Sequence, residues 1–285
     1  MESHKPHKFL MALALSAALL SGAAGMALWY APAAMAQVNG FGFAPQRYKE
    51  GYTYGNGVYF APYRFTIYSS PSEAAPVIED VSWGRRTASN SINIIAPNGE
   101  RHASYADHMF LCFYPQADVA MLAVMGDDGN GWVEVMYDQA SHKTGWVRLK
   151  ETPKTASADG QASQASKETL APLDMGEPAH FGVYQTWLEF MKLNAKASGI
   201  YWLSGVKEYN RSVRTSDADD AKMVPVTIIR DLKVRHVRGN WLLVEVLDFE
   251  RNTPIGWVRW RDDDGNLMVF PNISGQRMPI VTTAY

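Results

Sequence analysis

From Phe65 onward the chain consists of short apolar-rich pieces broken by turn-forming residues, the plan of a protein built from β-strands. Strands are expected at residues 65–68, 77–81, 91–95, 109–114, 120–125, 132–137 and 145–149. A second series is expected at 224–229, 232–237, 241–247 and 256–260, with a further strand in the tail after Leu267. The turns between them have a physical basis. Asn98-Gly99 and the run Asp127-Asp128-Gly129-Asn130-Gly131 supply residues that tolerate positive φ, which tight hairpins require. One segment breaks the rule: Tyr184, Trp187, Leu188, Met191 and Ala195 recur at helical spacing and stop at Ser198-Gly199, which predicts an amphipathic helix packed on the following strands.

The two series repeat one another. An offset of 111 residues aligns Val133-Glu134-Val135 with Val244-Glu245-Val246, and Gly145-Trp146-Val147-Arg148 with Gly256-Trp257-Val258-Arg259, without a gap. Each copy is entered through a tryptophan, Trp132 or Trp241. These two stand two residues out of step under that offset, which a period of two keeps on one face. Gly145 and Gly256 permit a sharp bend, and the tryptophan after each fills the end of a small barrel.

These motifs resemble the bacterial SH3-like domain family: a strand running into a Ser-Pro-Ser loop at Ile67-Tyr68-Ser69-Ser70-Pro71-Ser72, the strand from Trp132 to Val135, and Gly145-Trp146-Val147. The second copy contributes Trp241 to Val246 and Gly256-Trp257-Val258. The resemblance implies an all-β fold of two SH3-like barrels with a connecting helix. Its boundaries are an aromatic, glycine-rich lead at 37–57, a first domain at 58–152 and a polar linker at 153–181. The helix then occupies 182–198 and the second domain 199–285. Two departures stand out, a long insertion between Trp83 and His108 in the first copy and Asn210-Arg211-Ser212-Val213-Arg214 in place of the Ser-Pro-Ser loop in the second. What the resemblance implies about function is a non-catalytic module of the bacterial cell envelope that binds peptidoglycan or its peptide stems. Tyr68, Trp83, Arg230, Lys233, Arg235 and Arg259 are the recognition candidates; an interaction or assembly role with an envelope protein is the alternative.

The N-terminus sets the compartment. Lys5 and Lys8 precede an uncharged apolar run from Phe9, Pro32 breaks any helix, and Ala34-Met35-Ala36 offers small residues at the positions a signal peptidase reads, placing a mature start at Gln37. A periplasmic or secreted protein is the expectation. The apolar run is also long enough to span a bilayer, so an uncleaved anchor is the competing reading and the one route to membrane contact. Without Glu2, Lys5 and Lys8, the 27 basic and 29 acidic residues become 25 and 28, a net charge of −3 with histidine neutral. That balance argues against a nucleic-acid partner, which demands a strongly basic face.

Candidate chemistry is sparse. Cys112 is the single cysteine and sits in the apolar run Phe110-Leu111-Cys112-Phe113-Tyr114, so it reads as a buried thiol rather than a nucleophile. No Gly-x-Ser-x-Gly elbow occurs. His102 and His108, with Asp107 nearby, match no zinc spacing, and the acidic runs at 217–220 and 262–264 lack the terminal glutamate of a calcium loop. No catalytic residue, metal ligand or cofactor is therefore assigned. Arg230, Lys233, Arg235, His236 and Arg238, with Arg259 and Arg261 expected on a neighbouring strand, form either a basic face for an anionic polymer or an ordinary solvated strand face.

Overall fold

The computed structural model describes residues 42–48, 54–85, 90–150, 178–226, 229–248 and 250–273. The expected signal segment, most of the linker and most of the tail lie outside the described residues. Among the described residues no helix is long and apolar enough to cross a membrane. The chain is mostly β, with antiparallel sheets.

The first repeat starts with β1 (Gly57–Phe60), followed by the hairpin of β2 (Arg64–Tyr68) and β3 (Val77–Ser82). An insertion then supplies β4 (Ser91–Ile95), β5 (Arg101–Tyr105) and a single-turn helix α1 (Ala106–Met109). After β6 (Cys112–Tyr114) come β7 (Val119–Asp127), β8 (Trp132–Asp138) and β9 (Lys143–Arg148), and β10 (Tyr184–Thr186) closes the set. They form one ten-stranded sheet in the order β10-β1-β7-β8-β9-β2-β3-β4-β5, with β6 also on β7. The described strands form no closed barrel.

A helical run, α2, joins the repeats: Trp187–Phe190 is α-helical, Met191–Ala195 is π-helical and Lys196–Ser198 is α-helical again. It starts at Trp187, later than the expected 182, because residues 184–186 pair with β1 and Thr186 then forms a reciprocal capping box with Glu189. It ends at Gly199, whose φ of +73 an L side chain would resist. The second repeat holds β11 (Ile200–Trp202), β12 (Ile229–Arg238), β13 (Trp241–Asp248), β14 (Ile255–Arg259) and β15 (Val269–Pro271). β12-β13-β14 is one sheet and β11-β15 another.

Hydrogen-bond register aligns the repeats better than the sequence offset does. Val135 faces Gly145 in the first copy and Val244 faces Gly256 in the second, so Val244 corresponds to Val135 and not to Val133. Trp132 opposite Arg148 therefore matches Trp241 opposite Arg259. The connection between these strands is two residues longer in the second copy, and the Val-Glu-Val match was a coincidence that the strand period concealed. The likeness extends further. Both meanders carry a register shift one strand earlier, between Val124 and Gly126 and between Val234 and His236, each starting from the valine opposite Val135 or Val244. Tyr68 pairs with Val77 and Trp146, just as Arg214 pairs with Met223 and Trp257. A Cβ on Gly145 would meet Ile67, Ile78 and the Tyr68 carbonyl; one on Gly256 would meet Val213, Val224 and the Arg214 carbonyl. Val213-Arg214 is thus the counterpart of Ile67-Tyr68, and β11-β15 pair as β1-β10 do. The expected strand at 224–229 is displaced: β12 starts at Ile229, and Val224, Pro225 and Val226 lie outside any strand.

The described residues belong to one compact unit. One hydrophobic cluster runs through both repeats, from Val58, Phe60 and Met121 through Trp187 and Phe190 to Val234, Val244 and Phe270. A second lies within the first repeat around Ile67, Phe110, Phe113 and Val135. The lead ties the repeats together. Phe43 bridges to Phe113, Arg47 bridges to Ser204, the Tyr201 hydroxyl donates to the Pro45 carbonyl at 2.6 Å, and the Tyr48 hydroxyl donates to Asp262 at 2.9 Å.

Candidate functional site

On each meander the inward side chains are buried aliphatics, and the outward row carries tryptophan, arginine and carboxylate, although in the first meander Trp132 and Met136 of that row are buried as well. β13 shows the alternation plainly, with Leu242, Val244 and Val246 buried between half-buried Trp241, Leu243 and Glu245. In the first repeat the half-buried Tyr68 ring meets Trp132 edge-on at 5.4 Å, Trp146 lies opposite Tyr68, and Arg148 is ion-paired with Glu73 from the β2–β3 loop. The second repeat presents the same constellation. Arg214 stands in the place of Tyr68, Trp257 lies opposite it, and Arg259 is paired with Asp219, the fifth residue after Arg214 as Glu73 is the fifth after Tyr68. Arg259 also pairs with Asp263 and lies 5.9 Å from the centre of the Trp241 ring. An aromatic–arginine–carboxylate surface offers stacking for an apolar face of a ligand together with hydrogen-bond donors and acceptors for its polar groups.

The expected recognition residues fall in different places. Tyr68 and Arg259 belong to these two faces. Trp83 does not: it is 7% exposed, packs edge-on against Tyr63 at 4.9 Å, and donates from its indole nitrogen to the Pro62 carbonyl at 2.7 Å. It is a core residue because the strand after Val81 turns inward to cover Phe113 and Phe181. Arg230, Lys233 and Arg235 are exposed along β12, but the basic face is largely neutralised. Arg235 is bound by Glu245, Arg238 by Asp217 at 3.2 Å, and Arg259 by two aspartates. Arg230 and Lys233 have no ion pair among the described residues. Glu73 and Asp219, which pair with the arginines of the two faces, lie in loops that share no motif and carried no sequence signal.

Among the described residues, surface clefts open on the first repeat. A concavity of about 800 Å³ runs over β2 to β5, floored by Thr66, Ser82 and Asn93 with Arg64, Asp80 and Arg101 among its charged groups. A smaller cleft of about 280 Å³ is lined by Glu79, His102, His108, Tyr137, Asp138 and Lys143. Burial raises the Glu79 carboxyl above its ordinary range. Beneath the first sheet, Asp118 (φ +60) accepts from Tyr63 at 2.5 Å and binds Arg85, and its carbonyl lies 2.8 Å from His180 Nε2. Burial alone would raise the Asp118 carboxyl, but the bonds from Arg85 and Tyr63 outweigh it and lower the group. Burial and the Asp118 bond together push Tyr63 up to about 12.

Cys112 is fully buried, and burial raises its thiol well above the ordinary value. Among the described residues no three His, Cys, Asp or Glu side chains gather as a metal site. The acidic run at 262–264 is a turn: Asp262 accepts from the Asn266 amide at 2.7 Å and from its side chain at 3.0 Å. Comparison with known protein families, curated proteins and solved structures finds no match.

Proposed function

We propose that the chain is an exported, non-catalytic binding protein of the bacterial cell envelope, built of two SH3-like half-open barrels, that holds peptidoglycan or its peptide stems. The observation that carries this reading is the recurrence of one outward constellation in both repeats: Tyr68, Glu73, Trp132, Trp146 and Arg148, and Arg214, Asp219, Trp241, Trp257 and Arg259. Apart from Trp132, which is 9% exposed, none of these groups belongs to the buried core. Two like faces in one compact unit suit a polymer that repeats, because the second contact is made at high effective concentration. The order of pairing, with β1 between β10 and β7 and the β2–β3 hairpin laid against β9, supports the SH3-like assignment. Replacement of Tyr68 by Arg214 makes the second face the more polar of the two.

The test is co-sedimentation of the purified protein with intact peptidoglycan sacculi at low and high salt. Aromatic contacts predict binding that survives high salt, whereas the exposed Arg230 and Lys233 alone would give salt-labile binding. Trp146→Ala and Trp257→Ala are each expected to weaken binding and together to abolish it. Absence of sedimentation refutes the reading. A second reading has its own support. Met223 and Ile255 are each 60% exposed and flank Arg214 and Trp257 on the outward side of the second repeat, a surface suited to an envelope protein partner. Met223→Asp and Ile255→Asp separate the two, since they would disrupt protein capture and leave sacculus binding in place.

A further inference from the structure

The insertion between β3 and β6 builds a site that the second repeat lacks. β4, β5 and α1 wall off the 280 Å³ cleft whose other side is β3, β8 and β9. Its ionisable groups belong to the first repeat alone. Where Glu79 follows Ile78, Pro225 follows Val224, and the residues matching Asp138 and Lys143 at the far end of the next hairpin are Leu247 and Pro254.

The charges in this cleft do not balance. Asp138 is fully engaged: its carboxylate accepts from the Ala140 and Ser141 amides at 3.0 Å and from the Ser141 hydroxyl, and Lys143 Nζ lies 3.7 Å away. The one lysine is therefore paired with the aspartate, while Glu79 makes no ion pair among the described residues and feels His102 and Lys143 only through the field, which burial outweighs. Its Oε2 is shut off from solvent with no hydrogen-bond partner among the described residues. An oxygen left without a donor leaves the negative charge of Glu79 under-compensated, which a cation placed in the cleft beside the carboxylate would offset. The phenol of Tyr137 registers the same field, raised by burial and then by the negative charges of Glu79 and Asp138. Ile94, Met109 and Ala140 line the rest of the cleft with apolar surface, and His102, Ser104 and His108 stand around it as polar partners. The volume falls below that of drug-sized pockets, which indicates a small ligand.

We propose that this cleft binds a small primary-ammonium compound, with its ammonium group neutralising Glu79 and its alkyl portion against Ile94 and Met109. An anion is disfavoured because the walls hold two carboxylates against one already paired lysine and two histidines, a residue type mostly neutral at about pH 7. The site stands apart from the two tryptophan faces, so its success or failure says nothing about polymer binding.

The test is an NMR titration of the full chain with ethylammonium chloride, with tetramethylammonium chloride and sodium acetate as controls at matched ionic strength. Ethylammonium is expected to give saturable shifts at the Ile94 and Met109 methyls and the His102 and His108 imidazoles, and the controls none, because neither offers an N–H. Binding should strengthen as pH rises through the raised Glu79 value, since the ionised carboxylate is the partner. Glu79→Gln should weaken ethylammonium by about ten- to a hundredfold. Linear shifts without saturation, an equal response to tetramethylammonium, or unchanged affinity in folded Glu79→Gln would overturn the proposal. Lys143→Met, at an exposed residue, supplies a second arm: it frees Asp138 and should tighten ethylammonium binding, and unchanged or weaker binding counts against the site.

Discussion

Alanine at the two bend glycines tests whether the repeats fold as one unit. A Cβ on Gly145 would lie 2.5 Å from Ile67 Cγ2 and 3.2 Å from the Tyr68 carbonyl oxygen; on Gly256 it would lie 2.5 Å from Val213 Cγ1 and 2.8 Å from the Arg214 carbonyl oxygen. Ile67 and Val213 are both buried, so neither methyl can swing into solvent. Overpacking of this kind costs about 1–3 kcal/mol, offset in part by the roughly 0.5–1 kcal/mol that alanine gains over glycine in a strand. The net cost is expected at about 1 kcal/mol for Gly145→Ala and about 2 kcal/mol for Gly256→Ala, where a backbone oxygen at 2.8 Å blocks the way in addition to the side chain. In a unit of this size these values lower the melting midpoint by about 2–4 °C and 4–8 °C. Because one hydrophobic cluster spans both repeats, either substitution should shift a single transition, seen alike by tryptophan fluorescence and far-UV circular dichroism. Two separable transitions, with each substitution moving only one, would refute the shared core. A neutral result at Gly256 would refute the close approach of Arg214.

Three further outcomes follow from the packing and the buried charges. Trp83→Ala should cost about 3–5 kcal/mol in urea denaturation, as for a large core residue, while Trp83→Phe should leave sacculus binding unchanged. Asp118→Asn removes the carboxylate that binds Arg85 and Tyr63, so a spectrophotometric titration should show the Tyr63 phenol moving down from about 12 toward its ordinary value. His180 is held below its ordinary value chiefly by burial; the unfolded chain therefore binds the extra proton first, and stability should fall as pH drops from about 6.5 toward the folded value, a slope that His180→Gln should remove in pH-dependent denaturation.

Much of the secondary structure was legible because it depends on local alternation. The strands around 65–68, 91–95, 132–137 and 241–247 follow from apolar residues at every second position, and the helix before Gly199 follows from Trp187, Leu188, Met191 and Ala195. The Gly-Trp-Val-Arg motif likewise marked the two copies, since glycine at a close approach and arginine opposite tryptophan are demands of the strand itself. Register was another matter. A two-residue slip leaves every side chain on its own face, so the pattern alone could not distinguish Val133 from Val135 as the counterpart of Val244, and only the hydrogen-bond ladder to Gly145 and Gly256 decided it. β1, β10, β11 and β5 escaped notice because they are short or polar and derive their stability from distant partners.

Burial and charge pairing also depended on the tertiary structure. Trp83 looks like any aromatic beside a loop until Tyr63, Phe113 and Phe181 close around it, and the basic stripe of β12 looks open until Glu245 and Asp217 arrive from other elements. Glu79 and Asp138 lie far apart in the chain, and that one is satisfied and the other is not becomes a fact only when β3, β8 and the insertion meet. Alternation and turn chemistry are properties of neighbours along the chain. Which repeat faces which, which charges cancel and which carboxylate lacks a partner are properties of neighbours in space.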